Sequence, residues 1–174
     1  MIRISKGTVH LFTFKDGLLA RLAHDLRLSV RRFRITLDGT TVNAEFMPES
    51  IQIDGTMREG TLDPNELSDK DKGKIKAAML GDVLRASQYA RVSFTGRVRP
   101  QGGAYVAKGT LTLVGKKADV AVTITREGEL AKAAFELAPS EWGIKPYSAL
   151  AGAIKLQDRV GVAFEIPIPP NVSV

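Results

Sequence analysis

The most constraining feature of this chain is a two-residue alternation of apolar and polar side chains, interrupted at short intervals by glycine-containing turns. Val120, Val122 and Ile124 alternate, Gly128 interrupts, and Ala131, Ala133, Phe135 and Leu137 resume the pattern. Val160, Val162, Phe164, Ile166 and Ile168 repeat it near the end. Only an extended strand places alternate residues on one face, so each run predicts a half-buried strand. Strands at regular spacing with turn signals imply a sandwich or a barrel, and a single helical insert is too little for a βαβ architecture.

The first half of the chain follows the same rule with two slips of phase. Thr8 to Phe14 reads as a strand with Val9, Leu11 and Thr13 on one face and His10, Phe12 and Phe14 on the other. Both faces are partly apolar, so periodicity does not choose the inner one. Leu28 and Val30 share a face, but Phe33, Ile35 and Leu37 have the opposite parity, which places a β-bulge near Arg31-Arg32. Asp38-Gly39 closes a hairpin. The return strand turns Val42, Ala44 and Phe46 inward and slips again across Pro48 before Ile51 and Ile53, and Asp54-Gly55 reads as the next turn. Leu18, Leu19, Leu22 and Ala23 follow helical spacing up to His24, predicting a short N-terminal helix.

Residues 63–90 break the β pattern. Ser68 stands as N-cap with Asp71 three residues on, and Ile75, Ala78, Met79 and Val83 share a helical face that Gly81-Asp82 divides in two. After Tyr89 the strands resume through Val92 and Phe94, a turn at residues 100–103, a long strand from Tyr105 to Val114, and a turn at Gly115-Lys116-Lys117. The expected fold is therefore mainly all-β, an eight-stranded antiparallel barrel over residues 1–174 as one domain, with one insertion of one or two helices. Eight strands leave an interior that side chains just fill or that holds one small ligand.

Composition narrows the function classes. The 174 residues are 44% hydrophobic and 25% charged, a balance that folds rather than stays disordered. No apolar run reaches the ~18 residues of a membrane-spanning helix. Arg3, Lys6, Thr8, His10 and Thr13 interrupt the start, so no secretory signal is visible. The expected compartment is the cytoplasm, or the periplasm if the native start was trimmed. The absence of cysteine removes disulfides, thiolate catalysis and sulfur-ligated zinc. The formal charge of +6 makes an anionic membrane surface, met transiently, a candidate partner. Arg27, Arg31, Arg32 and Arg34 cluster on one strand, but without a recognition helix or a stacking motif they argue for a solvated face over nucleic acid.

No G-x-S-x-G, H-E-x-x-H, Walker-type or dinucleotide motif occurs. His24-Asp25 is the most suggestive pair for acid–base work, although sequence neighbours seldom face one another, and the stronger reading makes His24 a structural residue at the helix-to-strand junction or a polar contact at the mouth. His10, between aromatic neighbours, reads as packed or edge-exposed. The two histidines lack a chelating carboxylate set, so no metal and no cofactor is expected, and no catalytic residue is assigned. Trp142-Gly143-Ile144-Lys145-Pro146-Tyr147 reads as a loop at the mouth, with Lys145 or Tyr147 placed for a ligand head group, or Trp142 as plug and Tyr147 as anchor.

The order of landmarks resembles the YceI-like family. Its carriers are GLLARLAHD from Gly17, the helical stretch LSDKDKGKIKAAMLGDVLRASQYARVSF from Leu67, GTLTLVGKKADVAVTI from Gly109, and FELAPSEWGIKPYSALAGAIKLQDRVGVAFEI from Phe135. Leu84, Tyr89, Val92 and Phe94 fit the family's pattern at the end of the helical stretch, while Ala90 stands where a proline is common. The resemblance implies a lipocalin-like barrel associated with polyisoprenoid or other lipid-like ligands. The expected function is binding, sequestration or transport of a polyisoprenoid, quinone or fatty-acyl chain, an apolar or amphiphilic small molecule, without catalysis. Leu28, Val30, Phe46, Phe94, Leu111, Leu113, Val122, Phe135 and Phe164 would line the interior, and His24, Trp142, Lys145 and Tyr147 the mouth. The rival is a self-filled barrel acting through its surface or as a homodimer. With aromatics at only 6%, aliphatic inward residues leave room, which favours a cavity.

Overall fold

The computed structural model describes residues 1–17 and 22–169. Its strands are β1 (Ile2–Ile4), β2 (Thr8–Lys15), β3 (Leu26–Val30), β4 (Phe33–Asp38), β5 (Thr41–Phe46), β6 (Ile51–Arg58), β7 (Thr61–Asp63), β8 (Val92–Gln101), β9 (Ala104–Leu113), β10 (Lys116–Glu127), β11 (Leu130–Leu137), β12 (Ser148–Ala149) and β13 (Ile154–Pro167). One α-helix, α1 (Asp69–Ala78), separates β7 from β8. All of the pairings are antiparallel, and they run β1-β4-β5-β8-β9-β10-β11-β13-β2-β3-β6-β7, with β12 beside β13.

This is the mainly-β, barrel-like sheet that the alternation predicts, with two corrections. Among the described residues the sheet has 13 strands rather than eight, and its ladder is an open path ending at β1 and β7 rather than a closed ring. Both corrections have a physical source in the phase slips. Residues 31–32 separate β3 from β4, and the 3-10 turn Pro48–Ser50 separates β5 from β6. The two breaks face each other across the hairpin: the Arg31 N–H donates to the Ser50 carbonyl at 3.3 Å, and the Met47 N–H donates to the Arg32 carbonyl at 3.1 Å. Ladder pairing is thus interrupted on both strands at one level, while the chain remains continuous and the sheet curls.

A third correction concerns Asp54-Gly55, which is no turn. β6 runs through it, and the register with β3 shifts by one between Arg27 and Leu28. A Cβ on Gly55 would meet the Asp63 carbonyl oxygen at 2.2 Å, so β7 lies too close for any larger residue. The reversal comes instead at Glu59-Gly60. Of the expected N-terminal helix, residues 18–21 lie outside the described residues, and residues 22–24 carry no helix.

The helical insert starts where its cap predicts. The Asp71 N–H donates to Ser68 Oγ at 3.1 Å, satisfying one of the donors a helix start leaves open. Gly81-Asp82 does not end the helix but falls in a π-helical turn, Met79–Val83, that extends it. No residue of α1 is fully buried, and Ile75, Met79 and Leu84 pack on the main apolar cluster, which includes Val9, Leu28, Val30, Ile51 and Ile166. The helix lies as a cover on one end of the sheet.

The meander sorts the connections by length. Residues 38–41, 101–104 and 127–130 join strands at one end by tight turns. The end of β2 and the start of β3, which residues 16–25 join, lie at the other end, as do the longer stretches 64–91 and 138–153 and the short β9–β10 turn.

Candidate functional site

The inner faces of the strands enclose an apolar cavity of about 550 Å³, within the range of small-molecule sites. Each wall position expected from the sequence stands on it: Leu28 and Val30 from β3, Phe46 from β5, Phe94 from β8, Leu111 and Leu113 from β9, Val122 from β10, Phe135 from β11 and Phe164 from β13. His24, Trp142, Lys145 and Tyr147 line it as well. The lining includes no residue of the tight turns, but it does include Leu22, Pro146, Gln157 and Lys74 from the long-connection end, so the cavity opens there.

Several lining residues escaped the sequence reading. Val9, Leu11 and Thr13 face the cavity because Leu11 pairs with Leu28 on one side and Val162 on the other, and paired residues share a face. The signal was present as parity within β2, but both faces carried apolar groups. From the helical insert, Ile75 and Met79 close one side of the cavity. Their common face was legible; that it would cover a cavity was not.

Trp142 anchors the mouth. It is 0% exposed, packed against Leu111 and Val114, and its indole Nε1–H donates to the Leu111 carbonyl at 2.8 Å. A buried indole with a satisfied N–H is a plug, which is the structural of the two readings of this loop. Gly143, at φ 72, ends the 3-10 turn that carries Trp142 and turns the chain toward Lys145 and Tyr147. The Tyr147 carbonyl then accepts from the Leu156 N–H at 3.0 Å, pinning the loop to β13.

No hydrogen bond joins the side chains of His24 and Asp25 among the described residues. The Asp25 carboxylate accepts the Lys15 N–H at 2.8 Å, and its carbonyl accepts the Met57 N–H at 2.8 Å, so the residue joins three segments at the rim. His24 stands on the lining near Glu66. The Glu66 carboxyl is held below its usual range, first by a hydrogen bond from the Thr56 hydroxyl, then by one from Arg58, with a smaller electrostatic contribution from His24. Thr56 is 1% exposed, and its bond to Glu66 ties β6 to the segment that launches α1.

One polar atom is anomalous. Among the described residues, Thr13 Oγ1 is the buried side-chain oxygen without a hydrogen-bond partner, on a residue that lines the cavity. Leaving such a group unpaired costs about 1–3 kcal/mol.

Three of the four clustered arginines meet side chains of the protein. Arg27 Nε donates to Asp54 at 2.8 Å, Arg31 Nε to the Gln52 side chain at 3.1 Å, and Arg34 stands 4.0 Å from Glu45. His10 lies on the outer face with its ring edge-on to Phe12, and burial, then the charge of Arg27, lowers its pKa. These contacts stabilise a strand surface.

Comparison with known proteins bears on this arrangement. A family model described as YceI-like domain matches residues 16–168. No curated protein matches the sequence. Among solved structures, Burkholderia cenocepacia BcnA is 16% identical, with 92% of this chain and 94% of that one covered at a TM-score of 0.64. A polyisoprenoid binding domain from Saccharophagus degradans, implicated in plant cell wall breakdown, is 10% identical over 95% of this chain and 96% of its own, at 0.58. The Campylobacter jejuni YCEI protein is 11% identical over 82% and 84%, at 0.51. At these identities the likeness is one of fold.

Proposed function

The chain belongs to the YceI-like domain family, and from that premise we propose that it holds a lipid-like molecule, a polyisoprenoid, quinone or fatty-acyl chain, inside its sheet. The observation that carries this reading is the apolar cavity of about 550 Å³ with its opening at one end. Aliphatic and aromatic walls would take the chain, and Lys145, Tyr147 and His24 at the rim would meet its polar end. Burial supplies ~0.8 kcal/mol per methylene, so a dozen methylenes give a gross driving force of about 10 kcal/mol against the costs of association and of ordering the tail. The resemblance of fold to a polyisoprenoid binding domain supports the same class of ligand.

The role on this reading is carriage. The test is native mass spectrometry of protein purified gently from its own host, followed by organic extraction. A stoichiometric lipid-like molecule is the expected result, and Phe94→Trp should reduce its occupancy by narrowing the interior. A protein that is empty on purification, and stays empty when offered isoprenoid quinones and fatty acids, overturns the proposal.

A further inference from the structure

Of the strand residues on the cavity wall, all but three are apolar: Thr13 on β2, and Gln157 and Arg159 on β13. Gln157 and Arg159 reach the lining through an irregularity. The ladder between β2 and β13 is regular as far as Thr13 and Val160 and then slips, with Lys15 next opposite Leu156, so residues 157–159 stand against Phe14 alone. A bulge of this kind breaks the alternation and re-aims the side chains within it. The polar heads of both residues are engaged. Gln157 Nε2 donates to the Lys15 carbonyl at 3.0 Å, while the Arg159 guanidinium donates to Glu136 at 2.6 Å and lies 4.0 Å over the Phe14 ring.

Thr13 stands in the regular part of the ladder, between Leu26 of β3 and Val160 of β13, both on the wall. Its parity is that of Val9 and Leu11, so its side chain belongs to the inner face. It is also the last inward position of β2 before the rim, where the Lys15 N–H meets the Asp25 carboxylate. Valine has the same shape and would leave nothing unpaired. Instead the wall carries a hydroxyl whose oxygen has no hydrogen-bond partner and is closed off from solvent, so water does not serve it where it stands. A hydroxyl that bonds nothing loses no bond when χ1 turns by one rotamer, exchanges it with the methyl and brings it to the cavity.

The neighbours restrict what that hydroxyl can meet. An ionised group seated between Leu26 and Val160 would give up its hydration against apolar walls, whereas a neutral oxygen gives up much less. We propose that Thr13 donates a hydrogen bond to an uncharged oxygen of the ligand, the carbonyl or hydroxyl at which its polar end begins, and so selects oxygenated chains over plain hydrocarbons. A charged remainder, where the ligand has one, lies above at Lys145, Tyr147 and His24. This rests on the cavity being a lipid site, and the experiment lets the two ideas fail separately.

The full chain is loaded with diphenylhexatriene, a fluorescent hydrocarbon without oxygen. The probe is then displaced with methyl hexadecanoate or with octadecane, two chains of matched length, each delivered from cyclodextrin. The ratio of ester to hydrocarbon affinity should fall about three- to tenfold in Thr13→Val and return in Thr13→Ser, which keeps the hydroxyl. The carbonyl stretch of the bound ester, isotopically labelled at that carbon, should lie at lower frequency in the unaltered protein than in Thr13→Val. A purely structural role for the threonine would not move it.

An affinity ratio that is unchanged in Thr13→Val, or that falls equally in Thr13→Ser, overturns the proposal, while uptake of the probe leaves the cavity reading standing. The same carbonyl frequency in the unaltered protein and in Thr13→Val also overturns it. An unaltered protein that takes up neither the probe nor either chain removes the cavity reading instead.

Discussion

The two ends of the sheet solve the same problem, reversing the chain, by different means. At the tight end the left-handed positions are taken by glycine: Gly39, Gly102, Gly103 and Gly128. At the open end Gly17, Gly60, Gly115, Gly143 and Gly152 take such positions as well, but so do the non-glycine residues Glu59, Arg85, Val114, Leu150 and Ala151. Among the described residues, every such strained position is on the side where the cavity opens. One end closes on glycine without strain, and the other carries local backbone cost at five side-chain-bearing residues. The open end is not simply the looser one, because it also contains Trp142, the most buried large side chain described.

That contrast can be broken or sharpened by substitution, and the largest effect belongs to the open end. Trp142→Ala should cost about 3–5 kcal/mol in urea or thermal unfolding, since it opens a cavity and removes the indole hydrogen bond to the Leu111 carbonyl. A loss below ~1 kcal/mol would mean that the mouth loop does not report on global stability. Next comes the tight end, where a Cβ on Gly39 would meet nothing within 4 Å, so backbone strain acts alone. Gly39→Ala should cost about 1–2 kcal/mol with ligand uptake unchanged, and a neutral result would show that the closed end does not depend on its glycines.

The smallest effect has the opposite sign. Thr13→Val keeps the shape and removes the unpartnered hydroxyl, so the empty protein should gain up to about 1 kcal/mol, read as a higher Tm. A fall in Tm would reveal a partner for that oxygen.

Much of the architecture was legible because it is local. The Ser68 cap and the glycine of the 38–41 turn depend on residues a few positions apart, and the structure has both where the sequence puts them. Asp54-Gly55 shows the limit. Its dipeptide chemistry is that of a turn, but Asp54 bonds Arg27 at 2.8 Å and Ser29 at 2.6 Å across the ladder, and β7 crowds Gly55, so a bulge forms instead. Those partners come from distant sequence, and no local pattern announces them. The wall of the candidate site was legible for the same reason that the strands were, whereas β2, apolar on both sides, withheld Val9, Leu11 and Thr13.

By itself the sequence determined which residues share a face, where the phase of two strands slips and where one helix begins, because alternation, bulges and caps are written within a few residues. Only the tertiary structure decided which face is inner, that the two slips lie opposite each other, that the helical insert closes one side of the cavity, and that the interior is hollow. Those outcomes depend on register between strands far apart in the chain, and on how tightly the sheet curls. Period two divides side chains into two sets but carries no information about which set other strands will enclose.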